Sequence, residues 1–381
     1  MELCLYDAEL GYYSRNAEQF GKAGDFYTSS DVHAVFGRLL ARQFEEMWRV
    51  LGSPAQIEIL ELGPGRGLFA QDVLDWSEKK FSEFFRATHY TLAESSPALR
   101  QRLQSTLSRH FGAGKASLAQ PLKPLSHDGL TGTTSVAPYG VAIKRALAPD
   151  IPVIVFANEF FDALPVEVLS PQGELRISEK AGRLEETWNT ASVEELEFLD
   201  WYSVHPEAGE RIEAPLMAQR YMSEVAAAVN RGFIVAIDYG YTQQEQQAGR
   251  HRGTIAAYRQ HSVSATPYEA PGEQDITAHV NFTALAAATE ERGIHIQPLL
   301  TQSQFLLGIG EQTQFADAFE ETRLPQERAK VALQLKHLVT PAGMGESFHV
   351  LIGSKGVDSD KVASLSGLNF GKSARIRIPP R

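Results

Sequence analysis

The sequence predicts an open α/β sheet with helices on both faces, and three stretches carry that prediction. The alternating run Ile57-Glu58-Ile59-Leu60-Glu61-Leu62 stops abruptly at Gly63-Pro64-Gly65-Arg66-Gly67, and helix-forming sequence begins at Leu68. A buried strand that delivers a glycine turn to the top of a sheet reads in this way. His89-Tyr90-Thr91-Leu92-Ala93-Glu94 repeats the theme as a second strand that ends in an acid, and Ser95-Ser96-Pro97 opens the next helix. Serine caps the free N–H groups there, and proline in the first turn loses no hydrogen bond. Ile151-Pro152-Val153-Ile154-Val155-Phe156-Ala157 is apolar on both faces, the mark of a central strand. Strand, helix, strand, helix in this order is the right-handed crossover pattern of a parallel sheet.

The other elements follow from local signals. Residues 1–30 interleave glycine with aromatics and read as ordered loops. Val32, Val35, Phe36, Leu39, Leu40, Phe44, Met47 and Trp48 recur at helical spacing behind a Ser30 or Asp31 cap, and Gly52 and Pro54 end that helix. Residues 112–150 are poorly patterned, with a third strand expected near Ser117–Leu122. Short antiparallel strands are expected at Val166–Leu169, Leu175–Ser178 and Leu184–Trp188, then a helix through Met217, Tyr221, Val225 and Val229. Phe233–Gly240 reads as a core strand, 241–280 as polar and irregular, and Asn281 as the cap of the following helix. Ile294–Leu299 and Phe348–Ile352 are expected as the last two strands, antiparallel partners at the sheet edge. These divisions give an N-terminal loop and helix segment (1–56), a core (57–165 and 232–355), an inserted cap (166–231) and a C-terminal tail (356–381).

The 381 residues carry a formal charge of −11, with 43% hydrophobic residues and a single cysteine. That balance excludes a general nucleic-acid binder, which needs a basic face. One cysteine, Cys4, excludes an internal disulfide and a cysteine-rich zinc site. No apolar run is long enough to span a bilayer, so no membrane insertion is expected. The start of the chain carries acids and no basic region, so a targeting peptide is not expected and a cytoplasmic location is.

The glycine spacing bears on the ligand. A dinucleotide fingerprint needs G-x-G-x-x-G, and Leu68 stands where its third glycine belongs. G-x-G-x-G after an acid, Glu61, looks like the first motif of S-adenosylmethionine-dependent methyltransferases; a ligand-free turn is the bland alternative. An acid at the end of the second strand can accept both ribose hydroxyls of a nucleoside. Glu94 is that acid, 31 residues beyond Gly63, and a long or broken intervening helix would account for the interval.

Taken together, the motifs resemble the MidA-type methyltransferases, the family that includes the mitochondrial complex I assembly arginine methyltransferase. The resemblance runs from about Tyr6 to Ile352. It rests on Gly11-Tyr12-Tyr13, Gly24-Asp25-Phe26-Tyr27-Thr28, the Glu61–Gly67 loop and Asn158-Glu159-Phe160-Phe161-Asp162-Ala163-Leu164-Pro165. Asp238-Tyr239-Gly240, Gly253-Thr254, Asp275-Ile276-Thr277-Ala278-His279-Val280 and Met344-Gly345 continue it. It implies a Rossmann-like class I methyltransferase core with a mostly parallel seven-stranded sheet, binding S-adenosyl-L-methionine; Gly63, Gly65, Gly67, Glu94 and Asn158 are the residues expected to hold it. It also implies a protein substrate with an exposed arginine, of the complex I subunit type. A guanidinium is always charged and a poor nucleophile, so paired acids must grip it and take up its proton. Glu159 and Asp162 are expected in that role, with Asp25, Asp275 and His279 as second candidates. Asn281 departs from the family's usual aspartate; it keeps a capping role and removes an acid. The alternatives are a small-molecule or other protein acceptor, and a non-catalytic assembly factor that binds the cofactor and a partner.

Overall fold

In a computed structural model, the described residues are 1–7, 9–14, 34–119, 150–259, 262–264 and 266–370. The expectations for Asp25, for the Gly24–Thr28 loop and for the Ser30 or Asp31 cap lie outside them.

The first strands are β1 (Ile57–Leu62), β2 (Thr88–Ala93), β3 (Ala116–Leu118) and β4 (Val153–Asn158). β5 (Glu167–Ser170), β6 (Gly173–Lys180), β7 (Arg183–Asn189) and β8 (Ile212–Ala214) form a separate antiparallel sheet in the order β7-β6-β5-β8. After β9 (Gly232–Tyr241), the strands β10 (Ala256–Arg259), β11 (Ser262–Val263) and β12 (Asp275–Thr277) make a small third sheet. β13 (Val280–Asn281), β14 (His295–Ile296), β15 (Leu300–Thr301) and β16 (Phe348–Lys355) complete the chain. The main sheet runs β14-β16-β9-β4-β1-β2-β3, with β13 on β9 and β15 on β16. β1 pairs parallel with β2 and β4, β4 pairs parallel with β9, and β16 runs antiparallel along β9. This is the mostly parallel α/β fold that the sequence predicts.

Alternate side chains of the central strands feed two cores, as the pleat requires. Ile57, Ile59, Ile154 and Phe156 face one side, where the helices Ala34–Val50 and Leu68–Lys80 pack; Phe156 stacks on Phe69 with ring centroids 4.3 Å apart. Leu60, Leu62, Val155 and Ala157 face the other, against the helices Leu216–Ala228 and Phe282–Glu290. The helix Leu216–Ala228, expected within an inserted cap, is thus part of the main core. The β1–β2 connection is a helix broken at Phe81, Leu68–Lys80 followed by Ser82–Ala87, which accounts for the long interval from Gly63 to Glu94.

Candidate active site

A cavity of about 630 Å³ opens at the carboxyl ends of β1, β2, β4 and β9, where ligands of open α/β sheets sit. The glycine loop after β1 lines one wall. Gly63 and Gly65 hold φ of 63° and 54°, a left-handed region closed to most side chains. A Cβ on Gly63 would stand 2.8 Å from the Phe160 ring. At Gly63 and Gly65 the loop is therefore bare backbone by necessity, while Pro64 and Arg66 line the cavity between and beside them.

Glu94 directly follows β2 and lines the same cavity. It is 7% exposed and accepts the Ser96 N–H at 2.8 Å; burial pushes its carboxyl up to about 7. Glu61, at the end of β1, lies deeper and accepts the Tyr90 hydroxyl at 2.9 Å, with burial raising it to about 8. At neutral pH Glu94 is about half protonated and Glu61 mostly so, and a cation or a diol beside them would favour their ionised forms.

The turn after β4, the strand paired with β1, supplies the adjoining wall. Asn158 donates from Nδ2 to Glu159 at 3.0 Å, while its Oδ1 is buried with no partner among the described residues. Glu159 itself holds φ of 49°, strained for a non-glycine residue. Asp238, fully buried on β9, accepts the N–H groups of Phe160, Phe161 and Asp162 at 3.1, 3.0 and 3.3 Å. Burial and the nearby Asp162 and Glu159 carboxylates push Asp238 upward. Asp162 accepts the Tyr239 hydroxyl on Oδ2, and burial raises it to about 6.

The remaining wall comes from distant parts of the chain. Tyr6 donates to the Ala163 carbonyl at 2.9 Å, and Tyr13 donates to Asp275 at 2.8 Å. His279 and His251 also line the cavity, their Nδ1 atoms 3.1 Å apart. Burial lowers both imidazoles, His279 to about 4, so both are neutral near pH 7.

Gly63, Gly65, Glu94, Asn158, Glu159 and Asp162 thus share one cavity, together with Asp275 and His279. Gly67 is not among the lining residues. It caps the helix Leu68–Lys80, and a Cβ there would meet Leu103 at 2.6 Å, so helix packing accounts for it. Sequence reasoning gave no role to Asp238, Tyr239, Tyr6 or Tyr13. The runs that contain them were visible, but partners 157 and 262 residues away were not. Asn281 caps its helix as expected, accepting the Ala284 N–H at 3.0 Å, and its Nδ2 donates to the Tyr202 carbonyl.

The groups present fit S-adenosylmethionine: glycine backbone that a Cβ would close, a buried strand-end carboxylate for ribose hydroxyls, and an orphaned amide oxygen on Asn158. Among the described residues no group of three or more histidine, cysteine or acidic side chains could hold a metal ion, and no helix is long and apolar enough to cross a membrane.

Comparison with known proteins agrees with this geometry. The family model described as "Putative S-adenosyl-L-methionine-dependent methyltransferase" matches residues 39–299. The chain is similar to the mitochondrial protein arginine methyltransferase NDUFAF7 homolog of Drosophila melanogaster, 28% identical over 374 residues, covering 94% of this chain and 80% of that protein. The Homo sapiens protein of that name is 26% identical over 368 residues, covering 92% and 77%. Among solved structures, a COG1565 superfamily member from Burkholderia thailandensis bound to S-adenosyl-homocysteine superposes with a TM-score of 0.77 at 26% identity, covering 98% of this chain and 90% of that one. The curated relatives are mitochondrial proteins, which overturns the cytoplasmic expectation; a chain start without a basic region is weak ground for a location. The family model covers well over half of the chain, and with the fold and these relatives it establishes that the protein belongs to the MidA-type family of S-adenosylmethionine-dependent methyltransferases.

Proposed function

We propose that this protein methylates an arginine side chain of a protein substrate, of the kind that the complex I subunit provides for the family it resembles. The observation that carries the reading is one cavity lined by both a glycine loop and two acids, Glu159 and Asp162. When bound, S-adenosylmethionine supplies a methyl group on a positively charged sulfur. Gly63, Gly65, Glu94 and Asn158 are assigned to hold it: backbone beneath its amino acid end, carboxylate on its ribose, amide at its methionine polar groups. Glu159 and Asp162 then grip the guanidinium, draw its charge to the nitrogen that does not react, and take the proton that the methylated nitrogen releases. Burial raises Asp162 to about 6, which makes it a better base than an exposed aspartate while leaving it mostly ionised at neutral pH. Much of the rate would come from alignment alone.

In this reading the sheet β5–β8 is the cap of the expected 166–231 insertion, without the helix that packs into the core. The test is incubation of the protein with labelled S-adenosylmethionine and lysate, followed by mass mapping of any labelled protein. Label on an arginine side chain is expected, with Glu159→Gln and Asp162→Asn each losing it while S-adenosylhomocysteine binding persists. Label on a small molecule, or no S-adenosylhomocysteine product at all, would refute the arginine reading.

A further inference from the structure

We propose that the acceptor enters as a cation held in a tyrosine-walled box, made by Tyr6, Tyr13, Tyr239 and Tyr258 around Asp162 and Asp275. The N-terminal segment thereby supplies two of its four rings. The inference rests on the arginine reading and extends it from the two acids to an acceptor subsite.

All six side chains line the one cavity. Each carboxylate is tied at one oxygen by a tyrosine: Tyr239 on Asp162 Oδ2 and Tyr13 on Asp275 Oδ1, the latter at 2.8 Å. The two acids are nearly out of solvent, 6% and 4% exposed. Asp162 Oδ1 is buried and receives no hydrogen bond of good geometry among the described residues; the Ala163 and Asp162 backbone N–H groups lie near the carboxylate and favour its charged form. A buried carboxylate oxygen without a donor costs about 1–3 kcal/mol, and a cationic N–H is the donor that recovers most. This oxygen, rather than acidity in general, points to a ligand.

The rings suit the same occupant. Tyr6 and Tyr13 lie with centroids 5.6 Å apart at 34°, and Tyr258 is the register partner of Asp275 across β10 and β12. Tyr239 is braced edge-on by His279 at 5.3 Å and Phe348 at 5.5 Å. A cation over such faces is attracted by the ring quadrupole, whereas a neutral acceptor offers the buried carboxylates no opposite charge. The N-terminal segment is fastened on both sides of the box. Tyr6 holds the Ala163 carbonyl beside Asp162, the Ser96 hydroxyl donates to the Tyr13 carbonyl at 2.6 Å, and Leu5 packs with Ala257 and Ile276 of the small sheet. Ser96 is two residues beyond Glu94, so one strap touches both the cofactor side and the acceptor side.

The experiment measures binding of a capped Gly-Arg-Gly peptide, and of its neutral citrulline analogue, to the full chain saturated with S-adenosylhomocysteine. The arginine peptide is expected to bind at least about tenfold more tightly, a difference of about 1.4 kcal/mol. Asp162→Asn and Asp275→Asn should each remove about tenfold or more of that affinity. Tyr258→Leu should weaken it several-fold and Tyr258→Phe, which keeps the ring, should restore it. Affinity for S-adenosylhomocysteine should stay within about twofold in all, which also reports folding; should an acid variant not fold, the Tyr258 pair decides. Equal binding of both peptides, or unchanged arginine affinity in the folded variants, overturns the box. A lysine peptide that binds better than arginine in the same Asp-dependent way supports the box and removes the arginine reading. Arginine label in lysate without charge-dependent peptide binding does the reverse.

Discussion

Two neighbouring turns line the cavity, and they solve one geometric problem in opposite ways. Each must reverse the chain at the top of a central strand using left-handed backbone. The turn after β1 does so with glycines, Gly63 and Gly65, and gives up side chains. The turn after β4 keeps a side chain at its left-handed position, Glu159, and is held from outside by Asp238, which takes three consecutive N–H groups. Backbone freedom is cheap where a ligand needs only peptide groups. Where a carboxylate must be presented, the strain is kept and a buried acid elsewhere holds it.

The comparison can be tested most strongly by pH. Acids on the glycine side titrate higher, Glu61 near 8 and Glu94 near 7, than Asp162 near 6 on the other. Each value is raised by burial above the unfolded value near 4. Their contribution to stability is therefore fully present below pH 4 and lost as pH rises through 6, 7 and 8 in turn. The combined loss should be on the order of several kcal/mol between pH 5 and 9. Urea unfolding of the wild type against Glu61→Gln and Glu94→Gln measures it; parallel curves for all three would contradict the assignment.

Asp238→Ala should come next. It leaves three buried N–H groups without their acceptor and should cost about 2–4 kcal/mol, with methyl transfer lost before S-adenosylhomocysteine binding. A loss below about 1 kcal/mol would mean that the turn holds itself. Gly63→Ala should cost about 1–3 kcal/mol through strained φ and contact with the Phe160 ring. Combining it with Phe160→Leu should recover only the contact part, since the backbone strain remains. The smallest stability effect has the opposite sign: Glu159→Gly should stabilise by about 0.5–1 kcal/mol as strain is relieved, yet slow transfer about 100-fold or more. A Glu159→Gly protein that is both less stable and fully active would erase the contrast between the turns.

The glycine turn was legible and the tether of its counterpart was not. Ile57–Leu62 announces itself because hydrophobic alternation and glycine spacing are local signals, and the observed β1 has those bounds. The apolar run before Asn158 likewise became β4, and Asn281 became the expected cap. Asp238 carried no local sign of its task, because its three partners lie 76 to 78 residues back. β13 and β15 are two residues each, too short for any periodicity, whereas β14 falls within the expected Ile294–Leu299 strand and pairs antiparallel with β16. The glutamine-rich stretch assigned to irregular structure is the helix Gln243–Gln247, and its signal was available: Thr242 and Glu245 form a capping box.

The paired imidazoles have one further consequence. A hydrogen bond between the two Nδ1 atoms of His251 and His279 requires one to give and the other to receive. Uncharged rings so arranged must be opposite tautomers, one with a bare Nε2 and the other with Nε2–H. Either ring can take the donor role with the wall's net charge the same, so this corner can answer either a donor or an acceptor on whatever molecule reaches it.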